Sequence, residues 1–315
     1  MKIVFLDSDT FGKNANFEIF NKFGIVTLYN NTSAEQTNLR INKAHIIVTN
    51  KVKIGLSNLN QAPDLKLICV AATGYNNIDL EACNRFNIPV VNVKGYSTQS
   101  VVQLVFAYIF AHSTSLINYN QEVKNGNWHK SDIFTMRNHP FSELNTKTLG
   151  IIGFGNIGKK IKETAAFLGL KVLVAGRKNE LNIPEDRTTF NTVLSESDYI
   201  TIHTPLTPET RNLITTTELE MMKKNAFIIN TARGGIINHD HLYNALVNNT
   251  ISGAAIDVWD TEPPQNEHPL FTLPSAIFTP HIAWASEQSI IRLLEGIVSN
   301  IDCYLNGQIN EIKIK

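Results

Sequence analysis

Three polar residues in the C-terminal half of the chain could carry out acid–base chemistry: Arg233, Glu262 and His281. Arg233 precedes two glycines, while Glu262 and His281 lie next to Pro263 and Pro280 in loops that proline constrains. A planar guanidinium suits bidentate binding of a carboxylate or a ketone oxygen. A carboxylate beside a histidine favours the protonated ring, which then donates a proton near neutral pH. Each residue alone fits a structural role, but the set predicts a proton-transfer site.

A glycine motif upstream indicates which cofactor such a site would use. Residues 149–152 form an apolar strand that runs into Gly153-Phe154-Gly155-Asn156-Ile157-Gly158, and a helical pattern over 156–168 and a second strand at 171–175 follow. In this context G-x-G-x-x-G is the dinucleotide-binding fingerprint. Its glycines permit a tight turn, close approach of a pyrophosphate, and packing of the helix on the strand, and the helix N-terminus attracts the phosphates. The six residues 153–158 are therefore predicted to bind a dinucleotide.

The residues after the second of these strands depart from the NAD pattern. An acidic residue that binds the adenosine 2′-hydroxyl is expected there, but the sequence reads Gly176-Arg177-Lys178. Arg177 and Lys178 could neutralise a 2′-phosphate, so the sequence favours NADP(H) and leaves NAD(H) open. The alternative is that both basic side chains are solvated in a tolerant loop.

The order of strand and helix patterns predicts an α/β fold with two doubly wound parallel sheets. Strands at 3–6, 26–29, 45–49, 67–71 and 90–93 indicate a flavodoxin-like first unit, and strands at 149–152, 171–175, 199–203, 226–230, 253–257 and 277–279 indicate a Rossmann unit inserted in it. One helix is predicted over 100–117, an irregular functional or interfacial segment over 118–147, and a returning helix over 285–305. The predicted domains are 1–99 with 287–315, and 100–286.

Composition argues against several other classes of protein. The 28 basic and 28 acidic residues balance, so no global charge favours nucleic acid or an anionic membrane. The apolar segment within residues 1–7 is too short for the core of a signal sequence and no apolar run approaches the ~18 residues of a membrane span, which predicts a cytoplasmic protein. The three cysteines form no CxxC pair, and His239 and His241 are expected on different faces of a helix, so no metal site is predicted.

Several dispersed motifs resemble the D-isomer-specific 2-hydroxyacid dehydrogenase family. They are Thr231-Ala-Arg233-Gly-Gly, Asp257-Val-Trp-Asp-Thr-Glu262-Pro and Pro280-His281-Ile-Ala-Trp284-Ala-Ser286. Two shorter segments, at 71–80 and 95–103, are similar to the bacterial glycerate dehydrogenase (hydroxypyruvate reductase) branch. The resemblance implies NAD(P)-dependent interconversion of a small 2-ketoacid and a D-2-hydroxy acid. It also implies a homodimer, with an active site in the interdomain cleft and residues 118–147 as a dimerisation arm.

The same resemblance implies roles for individual residues. His281 would protonate the ketone oxygen, Glu262 would keep His281 protonated, and Arg233 would bind the substrate. The N–H groups of Thr73 and Gly74 would hold the substrate carboxylate, with Lys51 as a further candidate on that face or a solvated lysine. The remaining dinucleotide contacts would come from Gly176, Arg177, Lys178, Thr204, Pro205, Thr231, Ala232, Asp257 (on the nicotinamide carboxamide) and Ala283.

Two alternatives remain open at the level of sequence. The same fold serves as a dinucleotide-sensing corepressor whose output is partner binding, although such a role usually needs flanking tails. The scaffold also carries other specificities, including formate and phosphonate oxidoreductases.

Overall fold

The computed structural model describes residues 1–265 and 267–314, in which strands and helices alternate. The strands are β1 (Lys2–Phe5), β2 (Ile25–Leu28), β3 (Ile46–Thr49), β4 (Leu67–Val70), β5 (Val90–Asn92), β6 (Thr148–Ile152), β7 (Lys171–Val174), β8 (Tyr199–Ile202), β9 (Phe227–Asn230), β10 (Gly253–Ile256) and β11 (Ala276–Phe278). The helices are α1 (Ala34–Ile41), α2 (Leu56–Leu59), α3 (Leu80–Arg85), α4 (Thr98–Ser113), α5 (Leu116–Lys124), α6 (Asn156–Phe167), α7 (Phe190–Glu196), α8 (Thr216–Met221), α9 (His239–Val247), α10 (Glu287–Leu305) and α11 (Ile309–Ile312). Short 3₁₀ helices cover Ser8–Phe11, Glu18–Phe23, Leu144–Thr146 and Pro269–Thr272.

These elements form two compact units, each built on one parallel sheet. The first unit contains residues 1–97 and the residues from Ala285 onward, and the second contains Thr98–Trp284. Every strand pair in both sheets is parallel, which confirms the predicted α/β class with two parallel sheets.

The first unit has the strand order β2-β1-β3-β4-β5. Every residue of the central strands β3 and β4 is buried, and all but Thr49 are apolar, as expected when helices cover both faces of a parallel sheet. Helix α10 returns to pack on β4 and β5, where a β-carbon at Gly296 would lie 2.5 Å from Val93 Cγ1. The absence of a side chain at Gly296 therefore allows the helix to approach the sheet. Helix α10 begins at Glu287, two residues later than predicted, with Ser286 as its N-cap.

The second unit has the strand order β11-β10-β9-β8-β6-β7. Apolar clusters lie on both faces of this sheet, one centred on α7, α8 and α9 and the other on α4 and α6. From β6 the chain continues to β7 on one side, whereas from β8 it continues to β9 on the other side, so the direction of strand addition reverses between β6 and β8. Ligands of open parallel sheets bind outside the carboxyl ends of the strands at such a switch point.

The single helix predicted over 100–117 is wrong. The structure has two helices, α4 and α5, bent by 60° around Ser115, which adopts a left-handed conformation with φ +50°. Ser115 Oγ donates to the carbonyl of Pro140 at 2.6 Å, and the N–H of Ser142 donates to the carbonyl of Ser113 at 2.9 Å. Contacts with residues 25 or more positions away therefore end the first helix, and α5 takes part of the segment that was predicted to be irregular.

Among the described residues, no single helix meets the length and apolarity needed to cross a membrane, and only the bent pair α4 and α5 does so jointly.

Candidate active site

The predicted dinucleotide and catalytic residues of the second unit all follow carboxyl ends of its strands. The glycine motif follows β6, Gly176 follows β7, Thr204 follows β8, Arg233 follows β9 and Asp257 follows β10. His281 follows β11. Since all six strands are parallel, these residues gather along one edge of the sheet.

The glycine loop leaves room for a ligand at one position only. Gly153 has φ +97°, and a β-carbon there would lie 2.6 Å from the carbonyl carbon of His203. A β-carbon at Gly158 would lie 2.3 Å from the carbonyl oxygen of Gly153. A β-carbon at Gly155, by contrast, would meet nothing within 4 Å. The first and third glycines therefore allow the turn and the helix packing, while the second faces open space beside the N-terminus of α6.

Two threonines beyond neighbouring strands are poised for a polar ligand. Thr204 Oγ1 follows β8 and Thr231 Oγ1 follows β9, and both oxygens are buried without a hydrogen-bond partner among the described residues. Buried hydroxyls usually find a partner, so such groups require an explanation. Together with the open space at Gly155, they fit a bound dinucleotide, whose phosphates and ribose hydroxyls are polar.

His281 and Glu262 form a close pair. His281 Nδ1 lies 2.6 Å from Glu262 Oε2, and the two side chains are 19% and 28% exposed. Glu262 Oε1 accepts the N–H of Trp259 at 3.0 Å, which fixes the carboxylate. His281 has φ +54°, a strained conformation for a residue with a side chain that is typical of functional sites. The structure thus brings His281 and Glu262 together through Nδ1 of the ring, and their catalytic roles stay predictions.

Asp257 anchors the loop that carries His281. Its carboxylate accepts hydrogen bonds from the hydroxyl of Thr279, from the N–H of Ile282 at 2.8 Å and from the N–H of Ala283 at 3.0 Å. Asp257 has no exposed surface, and burial raises its pKa against the opposing effect of these bonds. The sequence suggested a nicotinamide contact for Asp257, which stays a prediction, and it did not reveal this anchoring role.

The fully buried side chain of Asn230 holds the backbone at Arg233. The side-chain amide of Asn230 donates to the carbonyl of Arg233 at 2.9 Å and accepts the N–H of Ala232 at 3.0 Å. A β-carbon at Gly234 would lie 2.1 Å from the carbonyl carbon of Trp259. The arginine loop therefore packs directly on the segment that leads to Glu262. This contact explains the glycine that follows Arg233.

The loop after β7 makes contacts that the sequence did not indicate. Lys178 Nζ forms an ion pair with Glu218 Oε1 at 2.8 Å, and the Glu218 side chain is only 4% exposed. The N–H of Arg177 donates to Glu180 Oε2 at 2.7 Å. The 2′-phosphate site on Arg177 and Lys178 stays a prediction, but one of its two cations already has a carboxylate partner.

In the first unit, the candidate substrate residues lie beyond the adjacent strands β3 and β4. Asp7, which is 4% exposed, accepts the N–H of Asn50 at 2.9 Å and that of Lys51 at 2.7 Å, and so holds the loop of Lys51. Thr73 Oγ1 donates to the carbonyl of Val93 at 3.0 Å. Among the described residues, the N–H groups of Thr73 and Gly74 have no acceptor. The sequence did not reveal the role of Asp7.

Three further histidines of the second unit contact other side chains or the backbone. Burial lowers the pKa of His203 to about 3, and its Nε2 lies 2.8 Å from Thr201 Oγ1. His241 Nδ1 accepts the N–H of Thr216 at 3.1 Å, whereas His239 Nδ1 lies 3.8 Å from Asp260 Oδ1. Within the described ranges no cluster of three or more potential ligands could hold a metal ion.

Comparison with known proteins identifies the family. Residues 106–283 match the family model for the D-isomer specific 2-hydroxyacid dehydrogenase NAD binding domain. A putative 2-hydroxyacid dehydrogenase of Haemophilus influenzae is 40% identical over 96% of this chain and 97% of its own length. A glycerate dehydrogenase of Methylorubrum extorquens is 38% identical over 98% and 97%.

A solved structure agrees with this assignment. The D-lactate dehydrogenase of Aquifex aeolicus, in complex with NAD and lactic acid, superposes with a TM-score of 0.81 at 27% identity, covering 99% of this chain and 98% of that chain. The residues along the carboxyl edge of the second sheet thus belong to an oxidoreductase that uses a nicotinamide dinucleotide. The chain is a member of the D-isomer specific 2-hydroxyacid dehydrogenase family.

Proposed function

We propose that the protein reduces a small 2-ketoacid, hydroxypyruvate or glyoxylate, to the D-2-hydroxy acid with NAD(P)H, and catalyses the reverse oxidation. The observation that carries this proposal is the 2.6 Å pair of His281 Nδ1 and Glu262 Oε2, which lies on the same sheet edge as the glycine motif. The glycerate dehydrogenase relative supports this choice of substrate.

The proposed proton transfer at His281 uses Nε2, because Nδ1 is hydrogen-bonded to Glu262. A bound nicotinamide dinucleotide supplies the hydride to the ketone carbon. His281 donates its Nδ1–H to Glu262, so the proton on Nε2 is the one passed to the ketone oxygen. The ring is then neutral and keeps its Nδ1–H. In the reverse direction neutral Nε2 takes the hydroxyl proton, and the carboxylate of Glu262 stabilises the resulting imidazolium.

Binding of the substrate is assigned to Arg233 and to the first unit. The guanidinium of Arg233 has one nitrogen on the carbonyl of Ala232 at 2.7 Å, and its other N–H groups can bind the ketone oxygen and the carboxylate. The N–H groups of Thr73 and Gly74 would hold the carboxylate as a backbone anion site, with Lys51 adding positive charge. Contacts of this kind would fix the orientation of the bound ketoacid.

A substrate panel tests this proposal. Hydroxypyruvate, glyoxylate, pyruvate and phosphohydroxypyruvate are each assayed with NADH and with NADPH, and the chirality of the product is determined. We expect the highest kcat/KM for hydroxypyruvate or glyoxylate and a D product. The His281→Ala variant, purified in parallel, controls for contaminating enzymes. A protein that binds dinucleotide but turns over none of the four ketoacids would contradict the proposal and favour a sensor or another specificity.

We also propose that residues 118–147 form a dimerisation arm. Helix α5 has no buried residue, and large apolar side chains nearby are exposed, including Leu116 at 61%, Phe134 at 91% and Phe141 at 73%. Light scattering after size exclusion should give a dimer for the wild type and a monomer for Leu116→Glu combined with Phe134→Glu. A wild type that is monomeric at micromolar concentration rules this out.

A further inference from the structure

The loop after β7 places the carboxylate of Glu180 beside Gly176, although the two residues are four positions apart in the sequence. Gly176 stands where dinucleotide-binding folds usually carry an acid for the adenosine ribose. A β-carbon at position 176 would lie 3.1 Å from Glu180 Oε2. The carboxylate of Glu180 therefore occupies the space beside Gly176 that an acidic side chain at 176 would itself fill.

A tight turn holds Glu180 in this place. Asn179 adopts a left-handed conformation with φ +62°, which asparagine tolerates better than most residues. The N–H of Glu180 donates to the carbonyl of Arg177 at 3.1 Å, and Glu180 Oε2 accepts the N–H of Arg177 at 2.7 Å. The side chain is half-buried. Two hydrogen bonds thus orient the carboxylate before any ligand arrives.

The neighbouring Lys178 is already neutralised. Its ammonium pairs with Glu218, which also accepts the N–H of Thr215 at 2.9 Å and the hydroxyl of Thr215 at 2.7 Å. Burial alone would raise the pKa of Glu218, but the bonds from Lys178 and Thr215 outweigh it and lower the pKa. Glu218 is therefore a carboxylate at neutral pH. Moving Lys178 onto a phosphate would leave that carboxylate buried without its cation.

Arg177 also has an acidic neighbour. The side chain of Arg177 is exposed, and Glu209 lies within its electrostatic reach. Hydrogen bonds from Thr207 and from its own N–H lower the pKa of Glu209, and the charge of Arg177 adds to this effect. Three carboxylates thus lie at this loop beside its two cations: Glu218 pairs with Lys178, Glu209 is within electrostatic reach of Arg177, and Glu180 accepts the backbone N–H of Arg177. This excess of negative charge opposes the binding of a 2′-phosphate, which carries nearly two negative charges.

We propose that Glu180 replaces the acid missing at position 176: its carboxylate accepts hydrogen bonds from the adenosine ribose hydroxyls and makes the protein prefer NAD(H) to NADP(H). The inference rests on the proposed function for the presence of a dinucleotide. It reverses the preference that the Gly176-Arg177-Lys178 sequence favours.

Binding titrations separate this proposal from a turn-stabilising role. The dissociation constants of NADH and NADPH are measured without substrate, by nicotinamide fluorescence, for the wild type, Glu180→Gln and Glu180→Ala. Glutamine keeps an oxygen for the N–H of Arg177 and removes only the charge. Glu185→Gln removes the same charge from an exposed residue of the same connection and serves as the matched control. Thermal melting verifies that each variant is folded.

The wild type should bind NADH at least about tenfold more tightly than NADPH, a difference that one charge-assisted hydrogen bond supplies. The ratio of the two constants should fall by about tenfold in both Glu180 variants and change less than about twofold in Glu185→Gln. A wild type that prefers NADPH, or a ratio that stays fixed in folded Glu180 variants, overturns the role of Glu180 while the proposed function stands. Failure of the wild type to bind either dinucleotide overturns both.

Discussion

Two loops of the second unit, each following a strand end, contrast in how they are held. The His281 loop, residues 279–283, is fixed by buried Asp257, which receives hydrogen bonds from three of its residues. The Gly176 loop, residues 176–180, is held by bonds between Arg177 and Glu180 and by the ion pair of Lys178 with Glu218, and Arg177, Lys178 and Asn179 are exposed. The loop proposed to transfer the proton is therefore fixed by a fully buried carboxylate, whereas the loop proposed to select the dinucleotide is held by charged side chains near the surface.

The largest effect is expected at His281 itself. His281→Asn should lower kcat by about 100-fold or more, since general acid catalysis is worth about 10²–10⁴. Asparagine is chosen because it tolerates the left-handed backbone of this position. Steady-state kinetics give kcat, and fluorescence titration should show NADH affinity within about twofold of wild type. An equal loss of dinucleotide affinity would recast His281 as a structural residue.

Replacement of its carboxylate partner should slow proton transfer. Glu262→Gln removes the negative charge 2.6 Å from His281 and can keep the bond from Trp259. Reductive kcat should fall by about tenfold or more, because the neutral amide no longer stabilises the imidazolium that donates the proton. The measurement is steady-state kcat with hydroxypyruvate, with NADH affinity titrated as the control. A kcat within about twofold of the wild type would show that Glu262 does not support proton transfer.

The anchor of the His281 loop should affect stability. Asp257→Asn removes the charge and replaces one of the two oxygens that accept these three hydrogen bonds by a donor NH2 group, and it should lower the free energy of unfolding by about 1–3 kcal/mol, measured by urea denaturation. Asp240→Asn, at a carboxylate that is 88% exposed, is the control and should change it by less than about 0.5 kcal/mol. Equal effects in the two variants would mean that the loop does not depend on Asp257.

The smallest effect is expected at Lys178. Since its ammonium pairs with Glu218, Lys178→Met should change the dissociation constant of NADPH by less than about twofold. Calorimetry or fluorescence titration measures it, with NADH as the parallel ligand. A selective tenfold loss of NADPH affinity would instead support the 2′-phosphate site that the sequence predicts at Lys178.

The sequence predicted the features that depend on local pattern. Buried strands such as β4 are continuous runs of apolar residues, and a side chain at Gly153 or Gly158 would meet backbone atoms. Arg233, Glu262 and His281 were predicted as a set because strand ends of a parallel sheet share one edge. The meeting of His281 with Glu262 follows from that rule, although they are 19 residues apart.

Features that depend on distant or folded-back side chains were not predicted. Helix α4 ends at Ser113 because residues 140 and 142 bond to the turn, and no periodicity within the helix records that contact. Asp7 holds the Lys51 loop across more than 40 positions. Glu180 lies four residues beyond the position where an acid is expected, and only the left-handed turn at Asn179 returns its carboxylate to Gly176.

The central claim is that one histidine carries the proton in both directions, and pH profiles of both directions test it most directly. Reduction of hydroxypyruvate and oxidation of D-glycerate are measured as kcat/KM against pH for the wild type and for His281→Asn. The wild-type reduction should decline as pH rises and the oxidation should rise over the same range, because one needs the protonated ring and the other the neutral ring. The residual activity of His281→Asn should lose both limbs. Retention of the same opposing limbs in that variant would contradict the account, since another group would then be titrating.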